Sequence, residues 1–562
     1  MNTLHHILKI ALLYGSAIFL SSALSLAQED VIELLEGSDN IRIDGKTGNY
    51  IITGNVVFKK ENSKLYCDSA YYNLVRQDIK AYSHVHLNKE DTLNMFCDSL
   101  FFDTKKDFAK LWGNVRVRDN EYKLTTDSLD YDTKRNQGVY KNGGVITSIS
   151  NNDRLTSKVG YFYPESKNFN FRGDVIYTSK EYQVYTDTLR FNGRSKKAYF
   201  YGPTDIVSEK GKMYCETGWY DASNEKGVLQ KNAYIDQKDT YISGDSLYYS
   251  ALDSMYVGRG NVVIRDTSNN IEFNGDYAIS EEKKKYALIT GHALAKRYDN
   301  KDTLFIHADT LYNHLDSIGD SELILAYYDV KLFRADMQGV CDSMSYDRVG
   351  GVMNMYYEPA LWAKEAQLTG DTVSVYEKKG EIQRAFLRKQ GLVVTHVDST
   401  DYYNQVNGTT MNAYFDSTEI RRVDIEGNAK TIYFLEDEEE NDTVIVVNRK
   451  GMNRIYSSNI SLYFEKGDIS TATYRDSPEG VLYPMNQIKK SEERVQEFKW
   501  DESRRPISWE TMILDDGEFL DIKLIDYREI NLKVDENKAK KPSETKKESK
   551  EEPSESKDTD SE

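Results

Sequence analysis

A unit of roughly thirty residues recurs through most of this chain, in about thirteen copies, and it constrains the fold more than any other feature. Its clearest phrase is Asp-Ser/Thr-Leu-x-aromatic, with single-position variations. Successive intervals of 30, 29, 60 and 58 residues show that two degenerate copies intervene, with Ser157 and Glu216 at the acidic position. A fixed period of this size is typical of stacked architectures, in which no unit buries its apolar face alone. The clear copies begin at Asp68, Asp98, Asp127, Asp187, Asp245, Asp309 and Asp342.

A second marker, Gly-Asn/Asp-Val, precedes the acidic phrase by 14 residues in many units, as Gly54 precedes Asp68 and Gly113 precedes Asp127. Glycine suits a turn that needs a positive φ, and the following Asn tolerates the same region. Turn-prone stretches such as 61–63 separate the two markers. Each unit is therefore predicted to supply at least two strands.

The composition favours an all-β fold. Tyr is abundant at 42 residues and Pro is scarce at 8, and Tyr, Val, Ile, Phe and Thr favour pleated, half-buried strands. The chain is 39% hydrophobic and 29% charged, so we expect it to fold over most of its length. Its net charge of −18 argues against a nucleic-acid partner, which would require a basic face.

The two ends differ from the repeats. Residues 1–27 read as a cleaved signal peptide, with an apolar run before Ser25-Leu26-Ala27, so we expect a periplasmic protein that can associate with the outer membrane. Regular repeats are predicted for 28–376, and extended, degenerate repeats with a C-terminal cap for 377–530. The acidic stretch 436–441 is predicted to be an exposed loop. The Lys/Glu/Ser-rich tail, 531–562, cannot bury apolar surface and is predicted to be disordered.

Apolar and aromatic residues share one strand face within the acidic phrase, as Leu100 does with Phe102 and Leu129 with Tyr131. Strict alternation would place the Asp on that face too. We therefore predict a bulge or bend at the Asp-Ser step that turns the carboxylate outward.

All four cysteines immediately precede the acidic position, at Cys67, Cys97, Cys215 and Cys341, where other copies carry residues such as Thr126 or Gly244. This pattern indicates a slot for a small side chain. A disulfide is the alternative for Cys67 and Cys97, which come from adjacent units.

The sequence predicts no catalytic residue, metal site or cofactor. Gly244-Asp245-Ser246-Leu247 spells the block of a serine esterase family, but it is also one more in-register copy of the repeat phrase. Calcium requires several converging oxygen ligands, whereas each unit offers one well-placed carboxylate, so backbone hydrogen bonding is the favoured role of the Asp ladder. His84 and His86 share a strand without a third ligand, which favours two solvated side chains over a metal.

The repeat resembles the OstA-like (organic solvent tolerance) family, which includes a periplasmic lipopolysaccharide-transport bridge protein, and most closely its long form in Bacteroidetes-type bacteria. The matching phrases are Gly54-Asn55-Val56-Val57, Gly113-Asn114-Val115, Gly260-Asn261-Val262-Val263 and Asp127-Ser128-Leu129-Asp130-Tyr131-Asp132. The resemblance implies an elongated all-β jellyroll, with two sheets in a V whose apolar inner face holds the acyl chains of lipopolysaccharide.

The resemblance further implies a lipid-binding transport protein, without enzymatic activity, whose partners are lipopolysaccharide or a related glycolipid and other OstA-fold components docked by strand edges. A structural or adhesive β-solenoid that binds protein or glycan remains the alternative. The residues that would line the lipid groove are Val56, Leu100, Phe102, Val115, Leu129, Tyr131, Leu189, Phe191, Leu247, Tyr249, Met344 and Tyr346.

Overall fold

A computed structural model of the chain describes residues 32–90, 92–298, 302–315, 321–397, 401–416, 419–441, 444–465 and 468–514. Backbone contacts divide the chain into two units, Met1–Leu514 and Asp515–Glu562, and every described residue belongs to the first. The predicted signal peptide, 1–27, and the Lys/Glu/Ser-rich tail, 531–562, lie outside the described residues.

The described residues form 34 strands, three short 3-10 turns (Glu282–Lys284, Met485–Gln487 and Glu502–Arg504) and one helix, α1 (Trp509–Leu514). The strands are β1 Glu33–Leu34, β2 Asn40–Asp44, β3 Asn49–Lys60, β4 Ser63–Asn73, β5 Asp78–Lys89, β6 Leu93–Asp103, β7 Phe108–Arg118, β8 Tyr122–Asp132, β9 Gln137–Tyr140, β10 Gly144–Ser148, β11 Arg154–Ser157, β12 Val159–Tyr163, β13 Asn168–Thr178, β14 Tyr182–Asn192, β15 Lys197–Ser208, β16 Gly211–Asp221, β17 Lys226–Gln237, β18 Thr240–Ser250, β19 Met255–Asp266, β20 Ile271–Glu281, β21 Tyr286–Tyr298, β22 Thr303–Leu315, β23 Ser321–Arg334, β24 Met337–Asp347, β25 Val352–Tyr356, β26 Ala360–Ala363, β27 Ala366–Thr369, β28 Thr372–Lys378, β29 Glu381–His396, β30 Tyr403–Asp416, β31 Glu419–Asn441, β32 Val444–Glu465, β33 Asp468–Arg475 and β34 Glu479–Pro484.

These strands form one long antiparallel sheet in which consecutive strands pair with each other. Two turns of this meander use broken strands: β9 and β10 face β11 and β12, and β25 and β26 face β27 and β28. Each thirty-residue unit therefore contributes two strands, and the predicted all-β, repeat-built class is confirmed. The loop prediction for 436–441 is wrong, because β31 continues through Asn441 and pairs with β32.

A bulge interrupts nearly every strand pair at its middle. Gly54 and Asn55 on β3 both have positive φ, 78° and 45°, and together they face the single residue Asp68 on β4. The extra residue shifts the alternation, so that Cys67 and Ala70 are both buried while Asp68 between them is exposed. The predicted outward turn of the carboxylate at the Asp-Ser step is confirmed. We call this line of bulges the crest.

Side chains on the crest join each unit to the next. The Asn114 amide donates to the Asp98 carboxylate at 2.8 Å, and Asn232 donates to Glu216 at 2.7 Å, each pair lying 16 residues apart. His84 takes the same place opposite Asp68, whose carboxylate raises the pKa of the imidazole. In the described part of the chain no three His, Cys, Asp or Glu residues are grouped to hold a metal ion. The acidic side chains of the repeat therefore connect neighbouring strands by hydrogen bonds.

The bend at the crest folds the sheet into two facing arms whose hairpins meet along two rims. Rim A carries the hairpins β3–β4, β5–β6 and β7–β8, and rim B carries the hairpins β4–β5, β6–β7 and β12–β13. Lys60 on rim A lies 2.5 Å from Asp107 on rim B, and Asp119 on rim A lies 2.9 Å from Lys167 on rim B. This folded-over sheet agrees with the elongated jellyroll that the resemblance to the OstA-like family implies.

The inward-facing row nearest the crest consists of small side chains. It contains all four cysteines, which are buried and form no disulfide. Val85 pairs with Cys97, and Tyr66, next to Cys67, pairs with His86, next to Val85, so β5 lies between the two cysteines; two strand spacings, about 9.6 Å, separate them and exclude a disulfide. The slot prediction is confirmed. Burial raises the pKa of Cys67 and Cys215 to about 11, and of Cys97 and Cys341 to about 12.

The native thiols are expected to be inert. A thiol reacts through its thiolate, and a raised pKa leaves almost no thiolate at pH 8. We therefore expect a thiol-reactive chromogenic disulfide to label no cysteine rapidly in the native protein and all four after denaturation. Two labelled cysteines after denaturation without a reductant would contradict the free-thiol assignment.

Residues 485–514, the C-terminal strap, run back along the outer face of the arm that ends on rim A. The Gln405 side chain donates to Glu493 O and accepts from Val495 N, both at about 2.8–2.9 Å. Gln367, two strands further along, makes the same pair of bonds with Lys499 O and Asp501 N. Trp509 of α1 stacks on Phe305 with 5.3 Å between ring centroids. The strap thus covers the outer face of this arm, and the inner face packs against the other arm.

Candidate functional site

The buried core between the two arms is interrupted near the middle of the chain. One apolar cluster extends from Ile52 to Phe200, and a second extends from Val262 to Leu462. Between them only Ala233, Ile235 and Leu247 form a small buried cluster of their own. We call strands β15–β19, which span this interruption, the open segment.

Several inward-facing apolar side chains of the open segment are half-buried. Met213, Leu229 and Ile242 pack only partly on the small central cluster. Tyr249 and Tyr256, whose ring centroids lie 4.9 Å apart, are also half-buried. The corresponding positions of the first core, such as Leu111 and Leu129, are at most 1% exposed. An apolar lining accessible from outside therefore exists in this segment.

Glycines occupy several inward-facing positions of the open segment. Gly218 and Gly258 stand in the inward-facing row that Leu189 and Leu247 fill on other strands, since pairing places Gly218 beside Leu229 and Gly258 beside Leu247. Gly227 replaces an aromatic residue in the next row, beside Tyr220. Both rows therefore carry fewer large side chains here, although neighbouring groups lie close: an added Cβ would meet Val228 O at 2.5 Å from Gly218 and Val262 Cγ1 at 2.9 Å from Gly258.

The rims are also unjoined here. Elsewhere, ion pairs or hydrogen bonds cross between them: Lys89 donates to Thr133 O at 2.9 Å, and Arg297 lies 2.6 Å from Glu377. For the hairpins β15–β16 and β17–β18 on rim A, none of the hydrogen bonds and ion pairs among described residues reaches rim B. Among the described residues, the strands on which the buried core is interrupted are thus the strands on which no hydrogen bond or ion pair joins the rims.

Positive side chains flank this gap despite the net charge of −18. Lys180 and Lys210 lie on hairpins of rim A, and Lys196 and Lys226 lie on hairpins of rim B. Within the described residues none of these four ammonium groups forms an ion pair. Exposed glutamates lie beside three of these lysines, Glu181 and Glu209 on rim A and Glu225 on rim B, so the mouth carries both signs of charge, with lysines on each rim available to an anionic group.

All twelve predicted groove residues lie on the inward faces of the arms, but most are packed against protein. Phe102, Phe191 and Tyr249 are half-buried. The other nine are at most 5% exposed, and they are Val56, Leu100, Val115, Leu129, Tyr131, Leu189, Leu247, Met344 and Tyr346. Only Leu247 and Tyr249 belong to the open segment, and lipid contact at any of the twelve stays a prediction.

A second internal space lies at the N-terminal end, below the Lys60–Asp107 bridge. It is a cavity of about 400 Å³ whose apolar walls include Phe58, Leu100 and Phe102. Leu100 and Phe102 are thus the predicted groove residues that line this pocket. The predicted set otherwise missed the half-buried lining of the open segment, for which the in-register glycines were the available signal.

The esterase-like block lies in the repeat register. Ser246 pairs with Gln230 and Arg259, in the row that carries Ser69 and Ser99 on earlier strands. The serine is therefore a repeat residue on the outward side of the crest bend.

Among the described residues, no helix has the length and apolar character needed to cross a membrane.

Comparisons with known proteins agree with the repeat. A family model described as OstA-like protein matches residues 29–187, so the predicted resemblance is confirmed over that range. No curated protein matches the chain. Among solved structures, the chain is similar to LptH from Pseudomonas aeruginosa, described as the LptA homologous periplasmic component of the conserved lipopolysaccharide transport device. The identity is 16% and the TM-score 0.20, over 26% of this chain and 95% of LptH.

Proposed function

We propose that this chain shields the acyl chains of lipopolysaccharide, or of a related glycolipid, between its two arms during transfer to the outer membrane. The open segment is the place where the lipid enters and rests. The half-buried lining formed by Met213, Leu229, Ile242 and Tyr256 carries this proposal. The OstA-like match over residues 29–187 and the lysines on both rims support it.

The energetics suit transfer between equivalent sites. Burying one methylene is worth ~0.8 kcal/mol, so a chain of about twelve methylenes gains at most ~10 kcal/mol. Release of such a chain into water is slow, whereas movement to a similar apolar site costs little. The repeated inward rows provide such sites, and they need no catalytic residue.

Transfer beyond the open segment requires the arms to part. The flanking cores are packed, but the rims are held by few polar contacts, such as the Lys60–Asp107 pair and the Arg297–Glu377 pair. Parting the arms there also separates the packed cores, at a cost of about 1.5–3 kcal/mol for each large apolar side chain exposed, so an acyl chain must replace those protein contacts as it advances. Strand β2, whose five residues are all exposed, leaves one edge open for docking of a similar fold in the periplasm.

Site-specific photocrosslinking tests the proposal. We expect a photoreactive residue at Met213, Leu229 or Tyr256 to form lipid adducts in cells that produce the protein. The same residue at Leu111 or Leu129 provides matched inward-facing controls that are packed, and adducts there should be at least about tenfold fewer. Mass spectrometry of the adducts identifies the lipid.

A paired variant gives the complementary measurement. Met213→Asp with Ile242→Asp places two charges on the half-buried lining, and desolvating a carboxylate against an acyl chain is costly. We expect the glycolipid recovered with the purified protein to fall at least about tenfold. Equal adduct yields at open and packed positions, or unchanged lipid recovery, would refute this function and favour an adhesive role.

A further inference from the structure

A polar pocket of about 580 Å³ lies outside the arms, on the crest near the C-terminal end of the sheet. One wall is the crest itself, with Thr409, Asn428 and Ser458. The floor is the outward row of Lys430 and Tyr456, which pair directly with each other across β31 and β32. Its volume falls within the range of small-molecule sites, about 300–1,000 Å³.

The pocket exists because the repeat changes here. On earlier units an acidic residue fills the crest notch and binds the following Asn, as Asp98 binds Asn114 and Asp245 binds Asn261. Register places Thr409 at the acidic position of β30 and Ser458 at that of β32. Both hydroxyls are shorter than a carboxylate. Within the described residues, the exposed Asn428 amide consequently has no hydrogen-bond partner.

The C-terminal strap completes the pocket. Glu497 of the strap forms its outer wall and lies 3.2 Å from Lys430. Because the strap crosses the outer face at this point, the pocket is bounded by the strap on one side and by the crest on the other. Asn407, 4% exposed, also lines the pocket, and its side-chain amide donates to Gly391 O at 3.3 Å.

The chemistry of the lining selects among ligand classes. Lys430 is paired with Glu497, and Lys389 lies 3.3 Å from Asp371, so neither ammonium is reserved for a phosphate. The Thr409 and Ser458 hydroxyls donate to Gly427 O at 3.0 Å and Asp476 O at 3.2 Å and so offer acceptor lone pairs, while the Asn428 amide can donate and accept, which matches a ligand rich in hydroxyl groups. Tyr456, 38% exposed, adds an aromatic face on which the C–H side of a sugar ring can pack.

From these observations we infer that the pocket binds a neutral saccharide unit, with Tyr456 as the stacking platform and Asn428 as a hydrogen-bonding group. The saccharide is either free or the glycan part of a glycolipid. This site is separate from the open segment, and it stands whether or not acyl chains bind between the arms.

Binding to an array of neutral and acidic oligosaccharides, with the full mature chain as probe, tests the inference. Saturation-transfer NMR with the lipid-free oligosaccharide released from envelope glycolipid by mild acid, and with unconjugated array sugars, distinguishes the two sources. We expect neutral oligosaccharides to bind, and Tyr456→Ala and Asn428→Ala each to weaken the affinity by about tenfold or more.

Tyr463 offers a matched control on the same strand. It is 37% exposed and lies beneath Arg422 at 5.4 Å, as Tyr456 lies beneath Arg454 at 5.2 Å. Tyr463→Ala should leave sugar binding unchanged. Asn428 is exposed and has a φ of 49°, so Asn428→Gly, which keeps this backbone conformation, is measured beside Asn428→Ala; it removes the amide without strain and does not depend on the folding of Tyr456→Ala. Absence of sugar binding, or binding that survives both pocket variants, overturns the inference irrespective of any lipid crosslinks in the open segment.

Discussion

The Tyr131→Ala variant is expected to lower the free energy of unfolding by about 3–5 kcal/mol, the range measured when large buried aromatic residues are truncated. Tyr131 is 0% exposed, and its hydroxyl group donates to Asn136, whose amide donates to Glu165 at 2.9 Å. Truncation removes the ring from the first core and breaks a polar chain that joins two hairpins of rim B. Native-state hydrogen exchange of the amides in β7–β9 measures the local loss, since a long repeat need not unfold in two states.

Two substitutions separate the contributions of the ring and of the hydroxyl group. Tyr131→Phe keeps the ring and should cost about 1–2 kcal/mol, because it leaves a buried acceptor of Asn136 unpaired. Tyr161→Ala, on a nearby strand but 37% exposed, should change stability by no more than about 0.5 kcal/mol. A small effect of Tyr131→Ala would mean that this stretch of the interior is loosely packed and open to ligand in solution.

The repeat phrase predicted the strand faces because alternation is a local property. The phase shift around Asp68 is visible in the spacing of Cys67 and Ala70, and the small slot is visible in the four cysteines. Whether an inward residue touches protein or solvent is not local. It depends on how closely the rims approach, and the bridging residues there lie 44 to 80 positions apart. Leu129 and Leu229 therefore share a face but differ in exposure.

Glycine substitutions within the repeat carried the information that the predicted groove set lacked. Gly218 falls where the acidic phrase elsewhere places Leu, and Gly258 lies beside Leu247 in the same inward row, so both strands carry less side-chain volume there. The crest shows the same principle at Thr409 and Ser458, where a shorter residue at the acidic position leaves a notch. In a repeat protein, departures from the consensus residue at a fixed register position thus mark candidate sites.

A C-terminal cap was predicted within 377–530, but the course of the strap along the outer face could not be predicted, for a different reason. Residues 485–514 carry no repeat phrase, and their position depends on long-range bonds from Gln338, Gln367 and Gln405, which occupy the same outward face of neighbouring strands. Each glutamine is at most 5% exposed. A buried amide is costly unless both its donor and its acceptor are satisfied, so these side chains make sense only with the strap in place.

Truncation after Pro484 is expected to uncover this face and destabilise the C-terminal half. Val495 leaves a cluster that contains Val394, Ile432 and Phe434, and each such side chain loses about 1.5–3 kcal/mol of burial. We expect strong binding of a hydrophobic dye, loss of amide protection in β26–β32, and concentration-dependent association. Truncation after Leu514 removes only residues beyond the strap and should behave as the full chain does. If both truncated proteins were equally protected and equally inert to the dye, the strap would be dispensable, and the saccharide pocket that it walls would need another boundary.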